Sequence, residues 1–208
     1  MTKVLFLGGA GMIGSAVAAE AVAQGIDLTV VTRAEPRRDL PAGIRHVAAD
    51  VRDIDAVRAL VGKDQYDSVV NWIGFSPADL AGHADLFAAH AGQYVFISTC
   101  SVYGRPVPSL PITESSPRVQ PVFGYAKNKI ACEVLLETAQ REQNLPLTIV
   151  RPFHTYDRTV VPVLPGFGVP DIDILAVYPS RRHLSAKVRA MIDFLAEEFS
   201  GTPPWDRD

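Results

Sequence analysis

The fold of this chain is decided near its start, by the stretch Val4-Leu5-Phe6-Leu7-Gly8-Gly9-Ala10-Gly11-Met12-Ile13-Gly14. The apolar residues predict a strand, and Ile13, Val17 and Ala21 recur beyond the first glycines at helical spacing. Glycines in the turn permit backbone angles that a Cβ would block, while the first turn of a helix presents unpaired N–H groups to an anion. The stretch therefore predicts binding of a dinucleotide pyrophosphate. The alternative is a tight turn whose small residues serve packing alone.

Apolar, β-rich runs alternate with helical patterns as far as residue 152. Helical spacing is found at 54–61, 86–90 and 125–136. Strands that alternate with helices form a parallel sheet covered on both faces, so the pattern predicts a doubly wound α/β fold. The proline-rich loop at 104–121 is irregular, and loops of that length inside a domain often carry function. The predicted strands span 3–8, 27–32, 44–48, 66–72, 93–98 and 146–151.

The composition limits the classes of function. A chain of 208 residues buries one sizeable core, and its net charge of −3 gives no basic surface for nucleic acid or for a membrane. Only two cysteines occur, and no apolar run approaches membrane-spanning length. With no secretory n-region before Val4, we predict a cytoplasmic protein without disulfides. The five histidines lack the short spacing of a zinc site, so no metal site is predicted.

A second group of candidate residues follows the fifth predicted strand. That strand leads into Thr99-Cys100-Ser101-Val102-Tyr103-Gly104, and Tyr125 and Lys129 then stand four residues apart on one face of a predicted helix. A lysine ammonium beside a phenol favours the phenolate and lowers its pKa toward a useful acid–base range. A nearby Thr or Ser hydroxyl is suited to hydrogen-bond the substrate oxygen whose proton moves. The alternative is a half-exposed tyrosine beside a solvated lysine, and the glycine-rich turn upstream favours the catalytic interpretation.

Together these motifs resemble one known family. Leu7 to Ser15, Ser98 to Gly104, Tyr125 to Lys129 and Arg151-Pro152 are similar to the extended short-chain dehydrogenase/reductase family, which includes NAD-dependent epimerases and dehydratases. Within the family, segments 93–98 and 128–133 look most like a subgroup close to the chloroplast stem-loop-binding proteins. The resemblance implies a Rossmann-like, doubly wound fold and a nicotinamide dinucleotide as cofactor.

The resemblance also implies roles for individual residues. Thr99, Tyr125 and Lys129 would form the catalytic set. Thr99 is chosen over Ser101 because the family's catalytic hydroxyl stands four residues before the tyrosine of a Val-Tyr-Gly turn, here Tyr103. Tyr125 would be the acid–base residue, while Lys129 would lower its pKa and hold the nicotinamide ribose. Asp50 and Val51 would lie at the adenine. The implied cofactor-binding residues are Gly8, Gly11, Met12, Ile13, Gly14, Arg33, Asp50, Val51, Ile73, Tyr125, Lys129 and Pro152.

Two departures from the family pattern bear on the cofactor. The family's usual threonine before the glycines is Leu7 here, which leaves the turn glycines intact. At the end of the second strand, where an acid would bind the 2′-hydroxyl of NAD, the chain has Thr32 and Arg33, with Arg37 and Arg38 nearby. An arginine in place of the acid suits a 2′-phosphate, so NADP is slightly favoured over NAD. The alternative is a solvated basic loop.

The tail departs from the family altogether. Extended members carry a longer substrate-binding region after the sixth strand, so much of the substrate pocket is expected to be absent. Residues 163–199 instead look like the C-terminal end of a LysR-type regulator's effector domain, which indicates a chimera joined between Arg158 and Val163. We expect a nucleotide-binding domain at 1–158 and a packed strand-and-helix extension at 159–208. Ser185 would cap that helix, whose apolar stripe is Leu184, Val188, Met191, Leu195 and Phe199.

Three interpretations remain open. The one adopted is an NAD(P)-dependent epimerase, dehydratase or reductase that acts on a sugar nucleotide or a related alcohol. The second is a shortened or chimeric chain that binds the cofactor without turnover. The third is a nucleotide-type fold used to bind RNA or protein, which the acidic balance weakens. The expected partners are the dinucleotide and an unidentified small-molecule substrate, with a homodimer as an open alternative.

Overall fold

The computed structural model describes residues 1–36, 40–104, 111–153 and 155. Arg37 and Arg38 lie outside these ranges, as does the predicted strand-and-helix tail. The boundary predicted between two domains at 158 and 159 falls there too, and stays a prediction.

Six strands form one parallel sheet. They are β1 (Lys3–Leu7), β2 (Asp27–Thr32), β3 (Arg45–Ala48), β4 (Ser68–Asn71), β5 (Tyr94–Ile97) and β6 (Leu147–Val150). Their order across the sheet is β3-β2-β1-β4-β5-β6, and each neighbouring pair runs parallel. All six predicted strands are present, and the doubly wound fold is confirmed.

In the part of the chain that the structure describes, four α-helices lie between the strands: α1 (Met12–Ala23), α2 (Ile54–Val61), α3 (His83–His90) and α4 (Gly124–Gln143). Two short 3-10 helices, Pro77–Leu80 and Cys100–Val102, follow β4 and β5. Local signals mark the helix ends. The Asp53 side chain accepts hydrogen bonds from the N–H groups of Asp55 and Ala56 at the start of α2, and Asn144 ends α4 in the left-handed conformation.

Both faces of the sheet are covered, which explains why β1 reads as a continuous apolar run. Leu5 and Leu7 point into the larger core, where they join residues such as Phe96 and Leu136. The alternate residues of β1 join the second core, which includes Ala18 of α1. A strand buried on both faces cannot alternate apolar with polar residues.

The strand order creates a crevice at one edge of the sheet. From β1 the chain continues to β2 on one side, while β4 lies on the other side, so no single connection closes the space above β1. In open α/β sheets ligands bind at this switch point, outside the carboxyl ends of the strands.

Among the helices within the described ranges, none has the length and apolar character needed to cross a membrane.

Candidate active site

A cleft of about 280 Å³ opens at the carboxyl ends of β1 to β4, at the switch point of the sheet. Its walls are the glycine turn after β1, the ends of β2 and β3, and the segment after β4. The lining residues are Gly8, Gly9, Ala10, Gly11, Val31, Thr32, Arg33, Ala49, Val51, Arg52, Ile73, Phe75 and Asp79. The structure therefore brings five of the predicted cofactor-binding residues to one cleft: Gly8, Gly11, Arg33, Val51 and Ile73.

The glycines of the turn serve two different purposes. Gly8 has φ +84°, and a Cβ on it would strike the side chain of Ile73. A Cβ on Gly14 would strike the backbone of Gly9, so this glycine allows α1 to lie against the turn. At Gly11, by contrast, an added Cβ would meet nothing within 4 Å. Gly8 and Gly14 are required by the fold, whereas Gly11 leaves space that faces the cleft.

The N-terminus of α1 is open to a ligand. Gly11 is its N-cap residue and forms no side-chain cap hydrogen bond. Met12 and Ile13, two further predicted contacts, belong to the first turn, whose N–H groups have no partner inside the helix. A cradle without side chains in front of these N–H groups fits a dinucleotide pyrophosphate.

Asp50 lies beside the cleft and is paired with Arg52. The Arg52 guanidinium donates to both carboxylate oxygens of Asp50 at 3.2 Å, and its backbone N–H donates at 3.1 Å. These contacts hold the pKa of Asp50 below its usual range, and Arg33 lowers it further. Arg52 also lines the cleft. Arg52 was not among the predicted residues, although its position two residues after Asp50, beyond the third strand, is a recognisable signal.

Lys129 is buried, with only 1% of its surface exposed. Its ammonium donates to the carbonyl oxygens of Gly74 at 2.7 Å and Ile97 at 2.8 Å, and it lies 4.6 Å from the centre of the Phe96 ring. Burial lowers the pKa of Lys129 to about 8. Lys129 is therefore not the solvated lysine of the alternative interpretation, because it braces the end of β5 against the segment after β4.

Tyr125 lies at the surface above Lys129, with 38% of its surface exposed. The Lys129 nitrogen is 5.9 Å from the centre of the Tyr125 ring. Burial raises the pKa of Tyr125, and the Cys100 thiol adds to the increase. The prediction that Lys129 lowers this pKa is therefore wrong for this arrangement, because the Lys129 ammonium donates to two backbone carbonyls and desolvation of the phenol dominates.

Phe75 joins the cleft to the tyrosine–lysine pair. It lines the cleft, its ring centre lies 6.4 Å from that of Tyr125, and the Lys129 ammonium lies 5.1 Å from the Phe75 ring. The sequence analysis did not single it out, since an exposed phenylalanine after a strand has no distinctive pattern. The two predicted groups of residues therefore form one continuous site.

Thr99 lies two residues beyond the end of β5 and caps the 3-10 helix that follows. Its hydroxyl oxygen accepts a hydrogen bond from the N–H of Ser101 at 3.2 Å. The N–H of Cys100 donates to the carbonyl of Pro152 at 2.9 Å, which places the end of β6 alongside. Thr99 and Pro152 therefore lie on adjacent segments, at the same carboxyl edge as the cleft. Their roles towards substrate and cofactor stay predictions.

A buried polar cluster supports the floor of the cleft. The Asn71 side-chain oxygen accepts hydrogen bonds from the N–H groups of Ile73 at 3.0 Å and Gly74 at 2.9 Å. Its amide nitrogen donates to the Tyr94 hydroxyl at 2.9 Å. His83 completes the cluster, with its Nε2 atom 2.9 Å from the carbonyl oxygen of Val51. This cluster thus fixes both the segment after β4, through Asn71, and the segment after β3, through His83 and Val51.

A third set of contacts surrounds Glu133, which the sequence analysis also missed. Glu133 is fully buried on α4 and is bonded to Arg118, Arg151 and Ser98. The usable signal was its place four residues after Lys129 on an otherwise apolar stripe.

Among the described residues, no group of three or more His, Cys, Asp or Glu side chains is arranged to hold a metal ion.

A family model described as NAD dependent epimerase/dehydratase matches residues 4–160, which is most of the chain. The chain belongs to the NAD dependent epimerase/dehydratase family. The resemblance to extended short-chain dehydrogenases/reductases is confirmed, while the narrower likeness to the stem-loop-binding subgroup stays a prediction.

Relatives within this family are sugar-nucleotide epimerases by name. The chain is 30% identical over 154 residues to a UDP-glucose 4-epimerase of Streptomyces lividans, covering 64% of this chain and 46% of the relative. It is 28% identical over 174 residues to a UDP-glucose 4-epimerase of Corynebacterium glutamicum, covering 73% of this chain and 51% of the relative. The chain thus spans about half the length of the curated relatives that it matches.

Solved structures of epimerases and dehydratases share the fold. A dTDP-glucose 4,6-dehydratase from Bacillus anthracis, solved in complex with NAD, superposes with a TM-score of 0.62 at 17% identity. The match covers 73% of this chain and 54% of that one. At this identity the likeness establishes the Rossmann-like architecture alone.

The tail matches a second family model. The LysR substrate binding domain model covers residues 144–200, and it overlaps the epimerase match at residues 144–160. The predicted resemblance of residues 163–199 falls inside this range, while the predicted join between Arg158 and Val163 stays a prediction.

Proposed function

We propose that this chain binds a nicotinamide dinucleotide in the cleft and acts on a secondary alcohol of a sugar nucleotide through Thr99, Tyr125 and Lys129. The observation that carries the proposal is the continuity of the site, because Phe75 contacts both the cleft and the tyrosine–lysine pair. The names of the relatives, UDP-glucose 4-epimerases, support a UDP-sugar as the substrate class.

The glycine turn would hold the pyrophosphate, and Lys129 would hold the ribose. When bound, a nicotinamide dinucleotide would supply hydride transfer to and from a substrate carbon. Lys129 has three N–H donors, of which two are bound to the carbonyls of Gly74 and Ile97. We assign the third donor to a ribose hydroxyl.

Tyr125 would transfer the proton at the substrate oxygen. Because burial raises its pKa, the phenol carries its proton at neutral pH and donates it to a substrate carbonyl oxygen. In the reverse direction the phenolate accepts the proton of the substrate hydroxyl. The Thr99 oxygen accepts from Ser101, and its own hydrogen would donate to the same substrate oxygen.

The same proposal extends to NADP as the preferred dinucleotide. Arg33 lines the cleft at the end of β2, where an acid would favour the 2′-hydroxyl of NAD. The Thr32 hydroxyl is bonded to the Ala34 carbonyl at 2.6 Å and to His46 at 2.7 Å, so it is occupied within the protein. Among the described residues that follow β2, Arg33 is therefore the one we assign to a 2′-phosphate.

The test combines binding with turnover. Calorimetry with NAD and NADP measures the first step, and interconversion of UDP-glucose and UDP-galactose measures the second. In Tyr125→Phe, turnover should fall by about 10²-fold or more while the dinucleotide affinity is retained, as expected for loss of an acid–base group. The control is Tyr66→Phe. Tyr66 precedes β4 in the chain and contacts Lys3, so it lies away from the cleft.

Each outcome separates the alternatives. Turnover of Tyr125→Phe equal to that of the control would show that the tyrosine–lysine pair is structural. Tight dinucleotide binding without turnover of any UDP-sugar would support the second interpretation, a cofactor-binding chain without activity. Absence of dinucleotide binding would overturn the proposal as a whole.

A further inference from the structure

A buried acidic side chain continues the face of α4 that carries the tyrosine–lysine pair. Tyr125, Lys129 and Glu133 follow one another at four-residue intervals, so they share one side of the helix. The Glu133 side chain is fully buried, with 0% of its surface exposed. A carboxylate removed from water is stable only when paired charges and hydrogen bonds replace its hydration.

Three segments of the chain provide that replacement. The Ser98 hydroxyl donates to Glu133 at 2.5 Å, and the Arg151 guanidinium donates to both carboxylate oxygens at 2.9 Å. Arg118 donates at 2.7 Å. Burial alone would raise the pKa of Glu133, but the hydrogen bonds from Arg151, Ser98 and Arg118 outweigh it and lower the pKa. Glu133 is therefore an ion at neutral pH.

Each donor is next in the chain to a part of the proposed site. Ser98 immediately precedes Thr99, and Arg151 immediately precedes Pro152. Arg118 belongs to the segment that leads into α4, and it also forms a two-fold contact with Glu137 at 2.8 and 2.9 Å. One carboxylate on α4 therefore joins the ends of β5 and β6 and the approach to Tyr125.

The same network reaches the turn after Thr99. Arg151 donates from its third nitrogen to the Tyr103 hydroxyl at 2.8 Å, and its guanidinium lies 5.4 Å from the Tyr103 ring centre. Tyr103 ends the short helix that Thr99 begins. Both ends of this short helix are thus tied to Glu133, through Ser98 on one side and Arg151 on the other.

We propose that Glu133 is a positioning residue: its carboxylate holds the segments bearing Thr99, Tyr125 and Pro152 in register and supplies negative charge to the Lys129 ammonium. The inference rests on the proposed function for its catalytic consequence. Its electrostatic consequence is independent of any substrate.

The electrostatic consequence concerns the protonation of Lys129. Burial lowers the pKa of Lys129, while Cys132, Glu133 and Asp79 each act to raise it. The other groups around the ammonium are the Gly74 and Ile97 carbonyls and the rings of Phe75, Phe96 and Tyr125. When the Glu133 charge is removed, burial stays and one opposing charge is lost, so Lys129 should release its proton at a lower pH.

The experiment compares Glu133→Gln with Glu137→Gln. Both changes remove a carboxylate that accepts a hydrogen bond from Arg118. Glu133→Gln also changes the contacts with Ser98 and Arg151, whereas Glu137→Gln does not. Lysine labelled with ¹³C at the ε position gives the titration of Lys129 by NMR, assigned with Lys129→Arg. Calorimetry gives the NADP affinity, and the UDP-sugar assay gives turnover.

In Glu133→Gln the Lys129 titration should move to lower pH, and turnover should fall by about tenfold or more because the site loses its alignment. Glu137→Gln should match the wild type in its Lys129 titration and in its turnover. A Lys129 titration identical in the two variants would overturn the charge role, and equal turnover would overturn the positioning role. If the wild type has no turnover, the proposed function fails while the titration still decides this inference.

A second variant guards against loss of folding. Glu133→Asp keeps the negative charge and shortens the reach to Ser98 and Arg151. Its Lys129 titration should remain close to that of the wild type, while turnover should still fall. Wild-type turnover in Glu133→Asp would contradict the positioning role, and a titration shifted to lower pH would contradict the charge role.

Discussion

Gly11 and Gly14 stand three residues apart yet are glycines for different reasons. A Cβ at Gly14 would collide with the Gly9 backbone, whereas a Cβ at Gly11 would enter open space beside the cleft. Gly11→Val should therefore leave the protein folded and weaken dinucleotide binding by about 100-fold, or about 2.8 kcal/mol. Calorimetric titration with NADP measures the effect.

The matched control is Ala19→Val on the exposed face of the same helix. It introduces the same β-branched residue into α1 but lies away from the cleft, so its NADP affinity should equal that of the wild type. Equal affinities for Gly11→Val and Ala19→Val would show that the turn does not approach a ligand.

Arg33 is the residue that should distinguish the two dinucleotides. An arginine bonded to a phosphate forms strong charge-assisted hydrogen bonds. In Arg33→Ala the ratio of NADP to NAD affinity should fall by about tenfold, which corresponds to about 1.4 kcal/mol. Parallel titrations of both cofactors give the ratio. Arg58→Ala serves as the control, because Arg58 pairs with Asp55 on α2. A wild type that prefers NAD would contradict the assignment.

Single residues differed in how far they could be predicted. Gly8 was found from the glycine motif, Arg33 from its place at a strand end and Val51 from the family resemblance, and the structure places all three at the cleft. Phe75 and Glu133 were missed because their importance comes from contacts with distant segments. The pKa of Tyr125 was predicted in the wrong direction, since a sequence shows that Lys129 is near but not where its ammonium points.

At the scale of elements, β1 and β2 were predictable because they are largely buried and apolar. The edge strands β3 and β6 have no fully buried residue, and they were predicted from short apolar runs. Helix α4 was predicted from its stripe, and its Tyr125 and Lys129 indeed share a face. Helix α3 was predicted to begin at Leu86 but begins at His83. A histidine and an aspartate in its first turn gave no apolar signal, and His83 is buried by tertiary contacts.

Helix α3 contributes a pH-sensitive contact through His83. Burial lowers the pKa of His83, although the Val51 carbonyl opposes this. The neutral ring therefore donates from Nε2 to Val51, and Nδ1 accepts from Asn71 at 3.3 Å or from Tyr94 at 3.2 Å. Protonation would place a hydrogen on Nδ1, which faces these two groups.

The free energy of unfolding should therefore depend on pH. Because the folded-state pKa lies below the ordinary value of 6.5, the unfolded chain binds more protons just below that pH. Stability from this contact is complete above pH 6.5 and is lost as the pH falls from there toward the folded-state pKa. Urea denaturation between pH 5 and 7.5, in wild type and His83→Gln, measures it.

In His83→Gln the slope of stability against pH in this window should be smaller than in the wild type. His90→Gln, at the other end of the same helix, serves as the control for replacing a histidine of this helix. Equal slopes in all three proteins would show that the buried ring does not couple folding to protons.

At the scale of the whole molecule, six parallel strands stand in the order β3-β2-β1-β4-β5-β6, with the change of direction between β1 and β4. The resemblance implied this architecture, and the family match confirms it. The position of the segment after β4 was not predictable, because its place over Lys129 depends on the packing of α4 against the sheet. A homodimer and a cytoplasmic location remain predictions.

The last prediction concerns the packing of the C-terminal tail. The apolar stripe from Leu184 to Phe199 predicts a helix that packs on the nucleotide-binding domain or on a second copy, because an exposed stripe of this size would promote aggregation. Hydrogen exchange over residues 184–199 should therefore be slow. Exchange as fast as that of an unstructured peptide throughout the stripe would contradict packing. Light scattering distinguishes a second copy from packing within one chain.

The indole of Trp72 lies against the glycine turn, where a Cβ on Gly9 would come within 2.7 Å of it, and it packs edge-on against Phe6 at 5.3 Å. Its Nε1 is buried and has no hydrogen-bond partner among the described residues. The chain has one other tryptophan, Trp205. A Trp205→Phe protein would thus carry a single native fluorophore directly behind the turn, and its emission would report the movement or quenching that accompanies a nucleotide in the cleft, without any attached dye.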